Sequence, residues 1–250
     1  MNVIVAQNIV KQFGDFYALR GVSLTIPQGS FFGLCGPNGA GKTTFLRILT
    51  GQLEPTAGHA IIFNFDVSQD PLRVKREIAI MPETESPPSF LTVEEYLYFV
   101  ARVREMTDFE GKIDGWIDFF RIEEKRETLC KDLSKGMRQK VMLAATFLPD
   151  TPLIFLDEPF INLDPIFQRK VRAYLALFIQ RGGTIFMNTH ILEIAEKLCD
   201  RIAIINRGEI IAAGTMAQLR AHPQENLEQV FMRLVGEADA YYTEGFDYEG

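Results

Sequence analysis

Disulfide and metal-cluster chemistry is nearly closed to this chain. Three cysteines stand in 250 residues, at positions 35, 130 and 199, with no Cys-x-x-Cys spacing. An odd, scattered set supports neither a disulfide framework nor a thiolate site, so these read as buried or incidental thiols of a reducing compartment. No run approaches the roughly 18 uninterrupted apolar residues of a bilayer-crossing helix. The opening Met1-Asn2-Val3-Ile4-Val5 lacks the basic segment and apolar core of a secretion signal. A cytosolic protein is expected, and work at a membrane would need another chain to supply the span. Basic excess is missing as well. With 26 Lys and Arg against 33 Asp and Glu, the net charge is −7, so no global field draws the chain to nucleic acid or anionic lipid. Neither Asn-Lys-x-Asp nor Thr-Lys-x-Asp occurs, which disfavours guanine recognition, and no internal repeat is seen.

What is present suits a globular protein of one large domain, or of a core with a subdomain: 47% hydrophobic and 24% charged residues. Phe31 to Cys35 is a short apolar run of the kind a buried parallel strand needs. Gly36-Pro37-Asn38-Gly39-Ala40-Gly41-Lys42-Thr43 then fits Gly-x-x-x-x-Gly-Lys-Thr, the phosphate-binding loop. Glycines let the backbone turn its N–H groups toward an anion. Thr43 and Thr44 open a helix whose N-terminus carries partial positive charge. Lys42 would reach the β- and γ-phosphates, and the Thr43 hydroxyl would take one position on Mg²⁺.

Strands are expected over 3–10 and 22–26, with a turn at Pro27-Gln28-Gly29, and again at 60–63 and 78–81. From Glu83 the character changes. Thr92-Val93-Glu94-Glu95 is a capping box, and apolar residues then recur at helical spacing. Further helices are expected over 113–120 and 134–147, so residues 84–150 read as a mostly helical insert. Strand, helix, strand, helix follow at 153–156, 165–181, 184–187 and 191–198, and 201–205 with 209–213 forms a hairpin. The stretch from Glu237 to Gly250 holds five acidic residues and no basic ones, and reads as a solvated, frayed tail.

Leu153 to Leu156 leads into Asp157-Glu158, two carboxylates at the carboxyl end of an apolar strand, where ligands of open α/β sheets collect. Asp157 fits the role of holding Mg²⁺, directly or through water. Glu158, one residue on, could accept a proton from water attacking the γ-phosphate. Taken alone, such a pair could merely cap the next turn. Beside a phosphate loop it supplies the metal holder and water-positioning group that phosphoryl transfer needs.

Leu133-Ser134-Lys135-Gly136-Met137, Asn162-Leu163-Asp164-Pro165 and Asn188-Thr189-His190, in this order, complete a set that resembles the ATP-binding-cassette ATPases over about residues 3–235. The resemblance implies a P-loop NTPase (RecA-like) α/β core with an antiparallel β subdomain and an inserted helical subdomain. It implies one domain to about residue 235, with 236–250 an acidic tail. ATP on the phosphate loop of one subunit would be closed over by Ser134, Lys135, Gly136 and Met137 of a second, in a homodimer or a heterodimer with a related cassette. Phe13 matches the aromatic that stacks on adenine, Asp164 the loop that communicates across the dimer, and His190 the histidine that contacts the γ-phosphate.

Three departures qualify the match. Glu83 stands where the family usually has glutamine; it could still reach Mg²⁺ through water but adds negative charge near ATP. Lys135 and Met137 replace the commonest Gly and Gln of the signature, and Lys135 either adds a cation near the phosphates or is simply solvated. Phe160-Ile161 replaces smaller polar residues. These variants resemble the branch serving small two-chain exporters. The expectation is an ATPase subunit at the cytoplasmic face, joined to separately encoded transmembrane subunits through a surface near Glu83 and the apolar Pro87, Pro88, Phe90 and Leu91. The alternative is a cassette ATPase acting on the ribosome or nucleic acid, which the single cassette and acidic balance disfavour.

Overall fold

The computed structural model describes residues 1–83 and 87–243, the side chains as far as Gly236. The chain opens with a hairpin, β1 (Asn2–Phe13) and β2 (Phe16–Pro27), and enters β3 (Phe31–Cys35), from which a glycine loop leads to α1 (Lys42–Leu49). Next come β4 (Ala57–Ile62), the short β5 (Phe65–Asp66), α2 (Pro71–Glu77) and β6 (Ile78–Met81). The helical stretch comprises α3 (Val93–Val103), α4 (Glu110–Phe120) and α5 (Lys135–Phe147). Then follow β7 (Leu153–Asp157), α6 (Pro165–Gln180), β8 (Thr184–Thr189), α7 (Leu192–Leu198), β9 (Arg201–Asn206), β10 (Glu209–Gly214), α8 (Met216–Leu219) and α9 (Leu227–Thr243).

Two sheets organise these elements. The larger runs β10-β9-β3-β8-β7-β6, parallel from β9 to β6, with β10 added antiparallel at the edge. Every residue of β3, β7 and β8 is buried, as expected of parallel strands covered on both faces. On one face, α1 and the antiparallel sheet β2-β1-β4-β5 enclose a core around Phe186, whose ring lies 5.8 Å from Phe32, 5.4 Å from Phe155 and 6.3 Å from Phe45. Truncating such a buried ring to alanine costs about 3–5 kcal/mol. On the other face the helices pack through aromatic contacts among Trp116, Phe120, Phe147 and Tyr174 of α4, α5 and α6.

The mixed α/β expectation holds, and so does the capping box: Thr92 Oγ1 accepts from Glu95 N while Glu95 Oε2 accepts from Thr92 N. The first two strands are longer than 3–10 and 22–26. Their pairing extends to Phe13 opposite Phe16, where the hairpin end is exposed and shows no apolar alternation. Sequence reasoning missed β5, α2, α8 and α9. Two of these carried legible signals: Pro71 at the first turn of α2, and the Thr215–Gln218 capping box of α8. The stretch 237–250, expected to be a frayed tail, is instead helical in its backbone as far as Thr243, where it continues α9; residues 244–250 lie outside the described residues. All three cysteines are buried, and burial pushes the Cys35 thiol up to about 12, far from reactive thiolate.

Candidate functional site

Parallel register brings the decisive residues to one level. Asp157 at the end of β7 pairs with Asn188 of β8, and Asn188 pairs in turn with Leu34, one residue short of the end of β3. The loop after β3 therefore emerges beside the two carboxylates. It turns through Gly41, at φ 105°, where an added Cβ would sit 2.7 Å from the Ala18 carbonyl oxygen, so only glycine fits. α1 starts there, and its first residues line a cavity of about 410 Å³. Asn38, Gly39, Lys42, Thr43, Thr44, Glu83, Asp157, Glu158 and His190 all line it. Gly36, Pro37 and Ala40 form the loop's backbone behind that wall and are not among the lining residues.

The polar contacts are specific. Lys42, buried, donates from Nζ to the loop's own carbonyl oxygens, Gly36 at 2.7 Å and Pro37 at 3.1 Å. The single hydroxyl proton of Thr43 faces Asp157 Oδ2 at 3.0 Å, with Glu83 Oε2 at the longer 3.5 Å. Burial pushes the Asp157 carboxyl up to about 6, opposed by the Thr43 hydroxyl and the neighbouring Asn188 amide and reinforced by the charges of Glu83 and Glu158.

Glu158 is held in a different way. Its backbone is left-handed, φ 53°, an uncommon conformation for a side chain of this size. Its carboxylate accepts from Thr189 Oγ1 at 3.1 Å and from His190 N at 2.8 Å, and His190 Nδ1 lies 2.7 Å from the same Oε1. Thr189 went unassigned in the sequence because a buried threonine on a strand has no local signature. Ile161, Ala18 and Phe16 also line the cavity.

The remaining expected residues lie outside this wall. Phe13 is not on the cavity wall. Its half-exposed ring lies 5.0 Å from Lys11 Nζ, and Phe16, its partner across the hairpin, takes the wall position instead. Ser134, Lys135, Gly136, Met137 and Asp164, which the resemblance assigns to the site of a second subunit, do not line this chain's own cavity. Ser134 caps α5 by accepting from Met137 N at 3.3 Å, and Asp164 caps α6 through Ile166 N and Phe167 N at 3.0 and 3.1 Å. Lys135 is exposed. The cap of α5 still contacts the site indirectly: a Cβ on Gly136 would lie 2.8 Å from Asn162 O, and Gln139 Nε2 donates to Pro159 O at 3.0 Å.

The residues fit a nucleoside triphosphate and a divalent cation. Backbone amides, a buried ammonium and a helix N-terminus suit phosphate oxygens. A hydroxyl and carboxylates suit a hard cation that keeps waters and takes phosphate oxygens as ligands. Among the described residues no three His, Cys, Asp or Glu side chains form a ready-made metal cage.

Comparison with known proteins agrees with this geometry. The family model described as ABC transporter matches residues 19–161, more than half of the chain. The chain is 32% identical over 249 residues to the "Probable multidrug ABC transporter ATP-binding protein YbhF" of Escherichia coli (strain K12), covering 96% of this chain and 43% of that protein. It is 34% identical over 226 residues to the "Daunorubicin/doxorubicin resistance ATP-binding protein DrrA" of Streptomyces peucetius, covering 90% and 68%. Against the "Nod factor export ATP-binding protein I" of Rhizobium meliloti (strain 1021) it is 34% identical over 209 residues, covering 83% and 62%. The chain thus spans 43% to 62% of the length of the first relatives it matches. Among solved structures, "Structure of ATP binding subunit of ABC transporter" superposes with TM-score 0.89 at 29% identity, over 93% of this chain and 99% of that one. "Dimeric Structure of MJ0796, a Bacterial ABC Transporter Cassette" shares the fold, with TM-score 0.78 at 24% identity over 85% and 98%.

Proposed function

The chain belongs to the ABC transporter family, and on that premise we propose that it is the ATP-hydrolysing subunit of a membrane transporter working as an exporter. The observation that carries the reading is the convergence of Lys42, Thr43, Asp157 and Glu158 on one cavity at the carboxyl edge of a parallel sheet. Lys42 exchanges the carbonyls of Gly36 and Pro37 for phosphate oxygens of ATP. Thr43 and Asp157, with Glu83 through water, would hold Mg²⁺. When bound, that cation neutralises charge on the β- and γ-phosphates. Glu158, oriented by Thr189 and His190, accepts the proton of a water whose oxygen bonds to the γ-phosphorus. The bond from that phosphorus to the bridging oxygen breaks, and ADP and inorganic phosphate leave. Phe16, with Phe13 across the hairpin, offers an aromatic face to the adenine.

Because Ser134–Met137 and Asp164 stay out of their own cavity, a second copy or a related cassette supplies them to close the site. The dimer in the structure of MJ0796 supports this arrangement by analogy of fold. Transmembrane subunits dock on the groove of about 170 Å³ between β6 and α3, where Phe99 and Val103 are exposed beside Ile80, Tyr96 and Met142, with the exposed Phe90 nearby in sequence. No helix of the described residues is long and apolar enough to cross a membrane, and the reading places the chain peripherally, at the cytoplasmic face of those transmembrane subunits. Export is supported by the relatives named for multidrug, Nod factor and drug-resistance functions.

The test is Glu158→Gln. Turnover falls by about 10²–10⁴-fold, ATP binding persists and an ATP-loaded dimer accumulates on size exclusion. Normal steady-state hydrolysis in that variant sinks the role of Glu158. Recovery of the native protein with ribosomes instead of integral membrane chains would overturn the transport assignment.

A further inference from the structure

A buried polar side chain behind the cavity has no role in the mechanism above. Asn188 is fully buried, and neither its Nδ2 nor its Oδ1 has a hydrogen-bond partner. Native cores satisfy nearly all such groups, and an orphaned buried amide costs about 1–3 kcal/mol. Strand register makes Asn188 the lateral neighbour of Asp157. The amide stands close enough to favour the charged form of that carboxyl, yet falls short of hydrogen-bond geometry. Asp157 has acceptor capacity to spare, since Oδ2 takes one proton from Thr43 and a carboxylate offers about four lone-pair sites.

We propose that Asn188 is a positioning residue for Asp157 in the cation-loaded site, its side-chain amide finding on the cation-bound carboxylate the partner it lacks in the free chain. Coordination would hold the Asp157 carboxylate in one orientation, in which its free lone pairs can align the neighbouring N–H donor. Nδ2 then restrains the carboxylate from behind while Thr43 restrains it from the side. Outer-shell donors of this kind orient a ligand and raise its affinity for the metal. Leaving the amide without a partner in the free chain makes the alignment conditional on loading. Asn188 thus acts through Asp157 and touches neither nucleotide nor water itself. This inference rests on the Mg²⁺-nucleotide reading of the cavity.

The experiment titrates Mn²⁺ into the intact protein in the presence of ADP and follows free Mn²⁺ by electron paramagnetic resonance. Wild-type binding checks the underlying reading; if ADP creates no Mn²⁺ site, that reading fails and the proposal falls with it. Given a wild-type site, Asn188→Leu, which keeps the branching at Cγ but has no donor, weakens Mn²⁺ by about 10-fold while ADP affinity in chelator stays the same. Its metal-free thermal midpoint equals or exceeds that of the wild type, because an orphaned amide has been replaced by apolar surface. Mn²⁺ affinity within twofold of wild type overturns the proposal, as does a midpoint lowered by several degrees, which marks an ordinary structural role. Should the leucine variant fail to fold, Asn188→Ala is read by the same Mn²⁺ titration. Failure of both to fold makes the residue structural and likewise overturns the assignment.

Discussion

Removing the Asp157 charge is expected to make the free protein more stable while disabling it. The carboxyl is 2% exposed, and its pKa rises from 3.8 to about 6, chiefly through burial. The sign follows from linkage. An acid whose folded pKa lies above its unfolded value destabilises the fold wherever it is ionised, so the penalty is absent below about pH 4, grows between pH 4 and 6, and is full above 6. A rise of about 2 units corresponds to about 3 kcal/mol at pH 7. Asp157→Asn keeps the shape and an acceptor for the Thr43 hydroxyl without the charge. For a chain of this length, a gain of about 3 kcal/mol is about 6–12 °C in thermal midpoint. The assay is scanning calorimetry in chelator without nucleotide, at pH 8 and pH 5. The variant melts higher at pH 8, and the gain is roughly halved at pH 5, where part of the wild-type carboxyl is protonated. Added Mg²⁺ and ATP analogue then raise the wild type by mass action and leave the variant nearly unmoved. No gain at pH 8, or an equal gain at both pH values, would refute the reasoning.

Three further outcomes are expected. Lys42→Ala lowers ATP affinity by about 10–100-fold, the worth of one charge-assisted contact, in a fluorescent-nucleotide titration; unchanged affinity would remove Lys42 from the phosphate site. Gly136→Ala, a change that adds up to about 1 kcal/mol inside an unobstructed helix, instead lowers the midpoint, because the new methyl meets Asn162 O at 2.8 Å; a higher midpoint would mean that the loop moves away freely. Glu225 has its pKa lowered from 4.5 to about 2, first by its hydrogen bonds with Arg233 and then by Ala221 N. Its stabilisation is therefore complete above about pH 4.5 and lost as pH falls toward 2. Glu225→Gln should sit below wild type by a constant margin from pH 8 to 5, and that margin should shrink in acid.

The chemistry-bearing residues of this protein were legible one motif at a time. A glycine loop ahead of a helix, an apolar strand ending in Asp157-Glu158 and a capping box at Thr92 are local. Each depends on residues within a few positions, so composition and spacing express them directly. The apolar runs of β3, β7 and β8 likewise announced buried parallel strands before any partner was known. Only the tertiary structure could decide what lies across from what. That Phe16 and not Phe13 lines the cavity depends on where the hairpin end sits against the glycine loop, while the hold of Thr189 on Glu158 and the place of Asn188 beside Asp157 are consequences of register between strands tens of residues apart. Such pairings are settled by the summed burial of two core faces and by hydrogen-bond closure across the sheet, quantities that no short window of sequence contains.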